Sequence, residues 1–331
     1  MDDKFNHIAY ICDDNYVLPT IVSIQSLVDA VKGSNNKYFV HICAIHLKSE
    51  NIELLNSLRS EKVYVDVKLI DINKYLDKLE KINRKTHVSS SALIKFELAN
   101  IFSGLDRILY LDSDVIIKKQ LEDIFDLDIS DYYLAAVKEY WKIHNNYYDG
   151  IVTDNLYFNS GVMYLNLAKF RYENISGKLW YAKLHDYNST DGKSFLMDQD
   201  AFNKICAKKC YYLSLIYNCD PKLTLGWADW RLISKEYHIN YNNAYELFDN
   251  VVIMHYLGKK DKPWKYEHSS HGDIWLSVYK KSPVRNINLN YIDDKHGVVE
   301  LVSRFRQAIR NRGFLGCFAY FCKTRYRKIK G

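Results

Sequence analysis

The stretch Ile108-Leu109-Tyr110-Leu111-Asp112-Ser113-Asp114-Val115-Ile116-Ile117 decides the fold. Four apolar residues run into two carboxylates spaced i, i+2, and an apolar run then resumes. This is how a buried strand reads when its carboxyl end opens at a ligand site, the usual place for chemistry in an open α/β sheet. Two ionised carboxylates so close repel one another, and burying them unpaired is costly. A hard divalent cation is the simplest neutraliser. Taken alone, Asp-Ser-Asp equally suits a solvated turn, so the rest of the chain has to decide.

Upstream, His7–Cys12 reads as a strand that ends in the acidic loop Asp13-Asp14-Asn15-Tyr16. From Val17 the apolar positions 17, 21, 24, 28 and 31 recur at helical spacing, with Gly33 as a stop signal. Strand, acidic loop and helix open a nucleotide-binding α/β unit, here without a glycine-rich phosphate loop, so another device must handle phosphate charge. Tyr38–Ile45 and Val63–Ile72 read as strands, Glu50–Arg59 as a helix. A helix over about Ser90–Phe102, capped by Ser89–Ser91 hydroxyls, sets Lys95 and Glu97 among apolar residues.

Downstream, Leu134–Val137 is a short buried strand with Glu139 just past its end. Tyr157–Asn166 is a strand containing Gly161, a place where backbone or ligand approaches closely. Asp198-Gln199-Asp200 begins a helix through Cys206, where the dipole favours carboxylates. Val251–Tyr256 is the last strand, followed by Gly258 and Lys262-Pro263-Trp264. Alternating strands and helices predict a mostly parallel sheet covered on both faces.

With 331 residues, the chain suits one large α/β domain with an appendage, or two domains. Hydrophobic residues make up 48% and charged residues 26%, an ordinary soluble balance, and no apolar run reaches the length of a membrane span. The polar start Met1–Asn6 is unlike a secretory signal, and the seven scattered cysteines fit reduced thiols, so a cytosolic protein is expected. Nine Lys and Arg, and no Asp or Glu, follow Leu301. The net +6 therefore divides into a strongly basic tail and a body of about −3.

Five separated motifs agree in order: Asp13-Asp14-Asn15-Tyr16, Leu109–Asp114, Tyr157–Val162, Asp198-Gln199-Asp200, and His255-Tyr256-x-Gly258 with Lys262-Pro263-Trp264. Through these, over roughly residues 6–265, the chain resembles the retaining glycosyltransferases of family 8, especially bacterial enzymes that elongate lipopolysaccharide. The resemblance implies an α/β GT-A (Rossmann-like) nucleotide-diphospho-sugar transferase fold with a mostly parallel central sheet. A catalytic domain would span 1–270, its nucleotide-sugar half about 1–115 and acceptor half about 116–270. A basic helical extension would cover 271–331.

The same resemblance implies roles for individual residues. Asp112, Asp114 and His255 would ligate Mn²⁺ (or Mg²⁺) on the diphosphate of UDP-galactose or UDP-glucose, a mixed oxygen and nitrogen set that suits Mn²⁺. Ile11, Asp13, Asn15 and Tyr16 would hold uracil and ribose, with Ser113 between the metal aspartates. Lys95 stands where the family usually has Arg and would contact the diphosphate as a point charge. Gly258 and Lys262 would face phosphate. Three residues separate them where the family commonly has two, so Lys259 or Lys260 is the alternative. Asn159, Asp198 and Gln199 would surround the transferred sugar, with Glu139 near an acidic position of the family.

Gln199 is a poor nucleophile, so front-face displacement is expected, with the leaving diphosphate taking the acceptor's proton. The cations of 298–331, interleaved with apolar residues, suggest an amphipathic helix on an anionic membrane surface, at the cytoplasmic face, near a lipid-linked acceptor. No nucleic-acid motif is present in the body. Other readings of the same residues are a self-glucosylating glycogenin-like initiator, since 28 Tyr supply acceptors, and a non-catalytic UDP-sugar binder. A haloacid-dehalogenase-like phosphatase is a further reading, weakened because about 110 residues precede Asp112 and no later Asp-Asp pair lies on a strand.

Overall fold

The computed structural model describes residues 5–75, 93–139, 156–189, 198–224 and 230–292. Within them the strands are β1 (Phe5–Cys12), β2 (Lys37–Ala44), β3 (Val63–Leu69), β4 (Arg107–Leu111), β5 (Val115–Ile117), β6 (Leu134–Lys138), β7 (Phe158–Asn166), β8 (Cys210–Tyr212) and β9 (Ile253–His255). Seven of them form one sheet in the order β3-β2-β1-β4-β7-β6-β8. β1, β2, β3 and β4 are parallel, and so are β6 and β8, while β7 runs antiparallel to both its neighbours. The expected mostly parallel α/β sheet is therefore present, with one reversed strand at its centre.

Both faces of this sheet are covered, which is why its inner strands read as continuous apolar runs. Ile8, Tyr10, Leu109 and Leu111 point into one hydrophobic cluster, together with Val17, Ile21 and Ile24 of the helix Val17–Ala30. Ala9, Ile11, Ile108 and Tyr110 point into the other, against Leu179 and Trp180 of the helix Ile175–Ser189 and Phe202 of the helix Gln199–Cys206. Alternate residues of a strand face opposite sides, so one short run serves two cores.

As expected, strand β4 ends at the aspartates, and Val115–Ile117 then leaves the main sheet to pair antiparallel with β9. Two expectations need correction. The last strand, 251–256, accordingly contributes only Ile253–His255 and belongs to that small second sheet. The helix over 90–102 is described only from Leu93, as a 3-10 turn Ile94–Glu97 that continues into the short helix Leu98–Ile101. Ser89–Ser91 and the tail from residue 293 lie outside the described residues. Within 271–292, the helix Gly272–Tyr279 buries Trp275 and Val278 in the same cluster as β1 and the helix Val17–Ala30. Among the described residues, no helix is long and apolar enough to cross a membrane.

The order of strands reverses at β1: β2 and β3 are added outward on one flank, and β4 then lies on the other. Such a switch point leaves a crevice at the carboxyl ends of the strands. Asp13–Tyr16 and Asp112–Asp114 emerge there, the latter opposite the start of antiparallel β7.

Candidate active site

The break after β4 is shaped by its neighbours. The Asp112 N–H donates to the Gly161 carbonyl (2.7 Å), and the Tyr256 N–H donates to the Asp114 carbonyl (3.0 Å). The aspartate loop is thus stitched to β7 on one side and to the end of β9 on the other. Ser113 lies between them, with its hydroxyl 2.7 Å from that of Thr20 on the nucleotide-side helix. With its own backbone so held, the i, i+2 spacing turns both carboxylates toward β9.

His255 meets them there. Its Nε2 lies 3.0 Å from Asp114 Oδ1 and 3.9 Å from Asp112 Oδ2. Donor atoms of Asp112, Asp114 and His255 all fall within 4.8 Å of one another, and this is the one such group of three or more among the described residues. Two carboxylates and an imidazole around one small space fit a divalent cation of the Mn²⁺ type. Gly161 makes the convergence possible: a Cβ there would stand 2.2 Å from His255 Cε1 and 2.8 Å from Asp112 Oδ2.

Two lysines balance the acids. Lys95, buried, sits 3.0 Å from Asp112 Oδ1 and 2.8 Å from Asp198 Oδ2, with its ammonium over the Tyr110 ring. Burial alone would lower its pKa, but the two carboxylates outweigh this and hold it above the ordinary lysine range. Lys262 contacts Asp114 Oδ2 and donates to the Tyr256 carbonyl at 2.6 Å. Asp114 is buried, which would raise its pKa, yet Lys262 and His255 hold it far below the usual carboxylate range. Lys259 and Lys260 are exposed, so among the three lysines of this loop it is Lys262 that reaches the aspartates. Gly258 takes a positive φ of 90°, a turn that glycine makes without strain.

Tyr16 begins the helix Val17–Ala30 and is 41% exposed. Burial of part of its ring, then the charge of Asp114, push its phenol upward. Asp13 Oδ1 accepts from the Asn15 N–H (2.9 Å), fixing the loop, while Asp14 turns away to the Lys48 N–H and Asn51. Ile11, next to last in β1, packs in the second cluster.

On the far side of Lys95 lies a group of oxygen and amide side chains. Asp198 Oδ2 accepts from the Ser160 hydroxyl (3.0 Å), and Gln199 Oε1 accepts from the Ser160 N–H (3.0 Å). Gln199 Nε2 then faces Tyr157 Oη (3.3 Å) and Glu139 Oε2 (3.5 Å). Asn159 Nδ2 donates to Glu139 Oε2 at 2.7 Å. Asn203 positions this set, since it bonds both the N–H and the carbonyl of Phe158 and so locks the helix Gln199–Cys206 to β7.

Asp112, Asp114, His255, Lys95, Lys262, Asp198, Gln199, Asn159 and Glu139 are joined by these contacts around one crevice. Glu97 is apart: it accepts from Trp180 Nε1 (2.6 Å) and Asn100, a structural use of a buried carboxylate. Two residues were missed. Tyr110, whose hydroxyl donates to Asp112 Oδ1 (2.6 Å), looked like core because it sits in an apolar run. Asn218 accepts from His255 Nδ1 (2.8 Å) and has no local pattern to mark it.

Comparison with known proteins agrees with this geometry. The chain is 28% identical over 334 residues to a lipopolysaccharide 1,2-glucosyltransferase of Escherichia coli, covering 99% of this chain and 92% of that protein. It is 27% identical over 280 residues to a lipopolysaccharide 1,3-galactosyltransferase of Salmonella typhimurium, covering 79% and 73%. In fold it resembles the galactosyltransferase LgtC, solved in complex with donor and acceptor sugar analogues, with a TM-score of 0.64 and 20% identity over 84% of this chain and 96% of that one. The glycosyl transferase family 8 pattern matches residues 7–268, a span that holds every side chain of the crevice, and the chain belongs to that family.

Proposed function

We propose that the chain moves a hexose, galactose or glucose, from its UDP-sugar to a saccharide acceptor, with retention at the anomeric carbon. What carries the reading is Lys95. It joins a metal-type set (Asp112, Asp114, His255) to a sugar-type set (Asp198, Gln199, Asn159, Glu139) in one continuous array. Phosphate charge and sugar hydroxyls would thus be held side by side.

A Mn²⁺ (or Mg²⁺) ion held by Asp112, Asp114 and His255 would supply Lewis-acid stabilisation to the leaving diphosphate. Lys262, already at the rim of Asp114, adds positive charge where the leaving group becomes negative. Asp13, Asn15 and Tyr16 line the side on which uracil and ribose would lie, at the end of β1. Asp198, Glu139 and Asn159 offer the carboxylate and amide groups that grip paired hydroxyls.

Retention requires attack from the face that the diphosphate leaves. Gln199 is a neutral amide whose oxygen is engaged by the Ser160 N–H, which supports an orienting role rather than a nucleophilic one. The acceptor hydroxyl would then enter beside the departing diphosphate and pass its proton to that oxygen. Glu139, Asn159, Asn218 and Leu257 border a small cavity beside this set.

The relatives named as lipopolysaccharide transferases support a lipid-linked bacterial surface saccharide as acceptor. The nine cations after Leu301 support docking of that end on an anionic membrane surface. A panel of UDP-sugars incubated with the protein and Mn²⁺ tests the core of the proposal. UDP should be released from UDP-galactose or UDP-glucose, and mass spectrometry should find no sugar bound to the protein. A hexosyl adduct on Asp198 or Glu139 would exclude the front-face route, and sugar added to a tyrosine would favour self-glycosylation.

A further inference from the structure

His255 can serve as a ligand through only one ring nitrogen at a time, and what decides which is the hydrogen bond made by the other. The decision can be followed atom by atom. The backbone N–H of Gly161 donates to Asn159 at 2.9 Å, and a backbone N–H has no other role, so the atom it meets is the amide oxygen. The other end of Asn159, its NH₂, therefore faces Glu139 Oε2 at 2.7 Å, a carboxylate that accepts. Asn218 approaches the same Asn159 oxygen at 2.9 Å and must present its NH₂. Its own oxygen is then turned to His255 Nδ1 at 2.8 Å. An oxygen there requires Nδ1 to carry the hydrogen, which leaves Nε2 directed at Asp114 and Asp112.

Every member is buried: Glu139 is 7% exposed, Asn159 7%, Asn218 5% and His255 2%. The backbone holds this chain of donors as well. Residue 219 runs beside β9, with the Cys219 N–H donating to the Ile253 carbonyl (3.0 Å) and the His255 N–H to the Cys219 carbonyl (2.9 Å). Asn218 is thereby carried to its place next to the imidazole.

We propose that Asn218 is a positioning residue: with Asn159 it forms a two-amide relay, anchored on Gly161 and Glu139, that fixes His255 as the Nδ1–H tautomer with Nε2 toward the metal position. This rests on the assignment of Asp112, Asp114 and His255 to a divalent cation. It extends that assignment, since the relay runs from the sugar-side carboxylate to the metal-side imidazole and orients both.

The test is Mn²⁺ affinity, measured by calorimetry in the presence of UDP, for wild type, Asn218→Ala, Asn218→Asp and His255→Ala. Outer partners of a metal-bound histidine typically contribute about 10–100-fold in affinity. Asn218→Ala should weaken Mn²⁺ binding by about that factor. Asn218→Asp, which keeps an acceptor for Nδ1 but loses the NH₂ that meets the Asn159 oxygen, should weaken binding less than Asn218→Ala does. Histidine-labelled wild-type protein with Mg²⁺ and UDP gives a readout that needs no variant to fold: the nitrogen shifts of His255 should show the hydrogen on Nδ1. Wild-type affinity in Asn218→Ala, or a hydrogen found on Nε2, overturns the relay while His255→Ala still weakens binding. Unchanged affinity in His255→Ala overturns the metal assignment itself, and the relay with it.

Discussion

One missing Cβ lets three side chains meet. Gly161 lies in β7 facing the aspartate loop, and a methyl group there would overlap His255 Cε1 at 2.2 Å and crowd Asp112 Oδ2 at 2.8 Å. Gly161→Ala is therefore expected to push the imidazole out of line at a cost of about 1–3 kcal/mol, the range for overpacking a filled interior. Calorimetry should show Mn²⁺ binding weakened at least tenfold while circular dichroism stays native. Native metal affinity in that variant would mean that the three donors do not share one ion. Lys95 illustrates the same economy in charge. The sequence pattern of a helix among apolar residues marks it as unusual, yet its two partners, Asp112 and Asp198, come from 17 and 103 residues downstream. No local pattern reports such a pairing.

Among the elements, β7 and the helix Gln199–Cys206 act as one piece. Asn203 satisfies the N–H and the carbonyl of Phe158 at 2.7 and 2.8 Å, so the helix start, with Asp198 and Gln199, is registered against Asn159–Gly161. Asn203→Ala leaves two buried backbone groups without that partner and should cost about 2–3 kcal/mol. Urea unfolding should show the loss in midpoint, and transfer should slow about tenfold or more as the sugar-side groups lose register. An unchanged rate would show that the sugar side is positioned by other contacts.

The start of the sheet offers a pH prediction. His41 of β2 stacks on Phe39 and on His7 of β1, with His7 Nδ1 2.9 Å from its Nε2. Burial, then the His7 and Lys68 charges, lower its pKa from 6.5 to about 4. The unfolded chain thus binds this proton more readily than the folded one, so the stability involved is complete above pH 6.5 and declines as pH falls toward 4. His41→Phe, which keeps a stacking ring, should reduce the fall in Tm between pH 7 and pH 5. For a partly exposed group the saving is about 1 kcal/mol, or about 2–4 °C. Parallel melting curves for the two proteins over that interval would contradict it.

Much of the molecule was legible before any coordinates. The strands at 7–12 and 134–137 are legible because they are almost wholly buried and apolar, and those at 38–45 and 157–166 because apolar residues dominate the run. The helix Val17–Ala30 was visible through its 3.6-residue repeat. The departure of Val115–Ile117 into a second sheet was not, since its partner β9 lies more than 130 residues away and antiparallel pairing leaves no local mark. Three-residue β8 is too short to carry a pattern. Asn218 was invisible for a related reason: a buried amide in an irregular segment has meaning only once His255 and Asn159 surround it.

Charge distribution belongs to the whole molecule as well. A body near −3 and a tail with nine cations would orient the chain at an anionic surface with its acidic face outward. Vesicles containing anionic lipid should float the full chain at low salt, and a variant with Arg304, Arg306, Arg310 and Arg312 changed to Ser should float less. Equal flotation of the two would remove the membrane role.

The central claim is that Asp112, Asp114 and His255 hold the metal on which sugar transfer depends. Its most direct test is UDP release from UDP-galactose or UDP-glucose, compared with Mn²⁺, with excess chelator, and in Asp114→Ala. The account predicts release only for wild type with Mn²⁺, and a loss of at least about a thousandfold in the variant, the scale of removing a main charge-stabilising group. Release that persists in chelator, or at wild-type rate in Asp114→Ala, would contradict it.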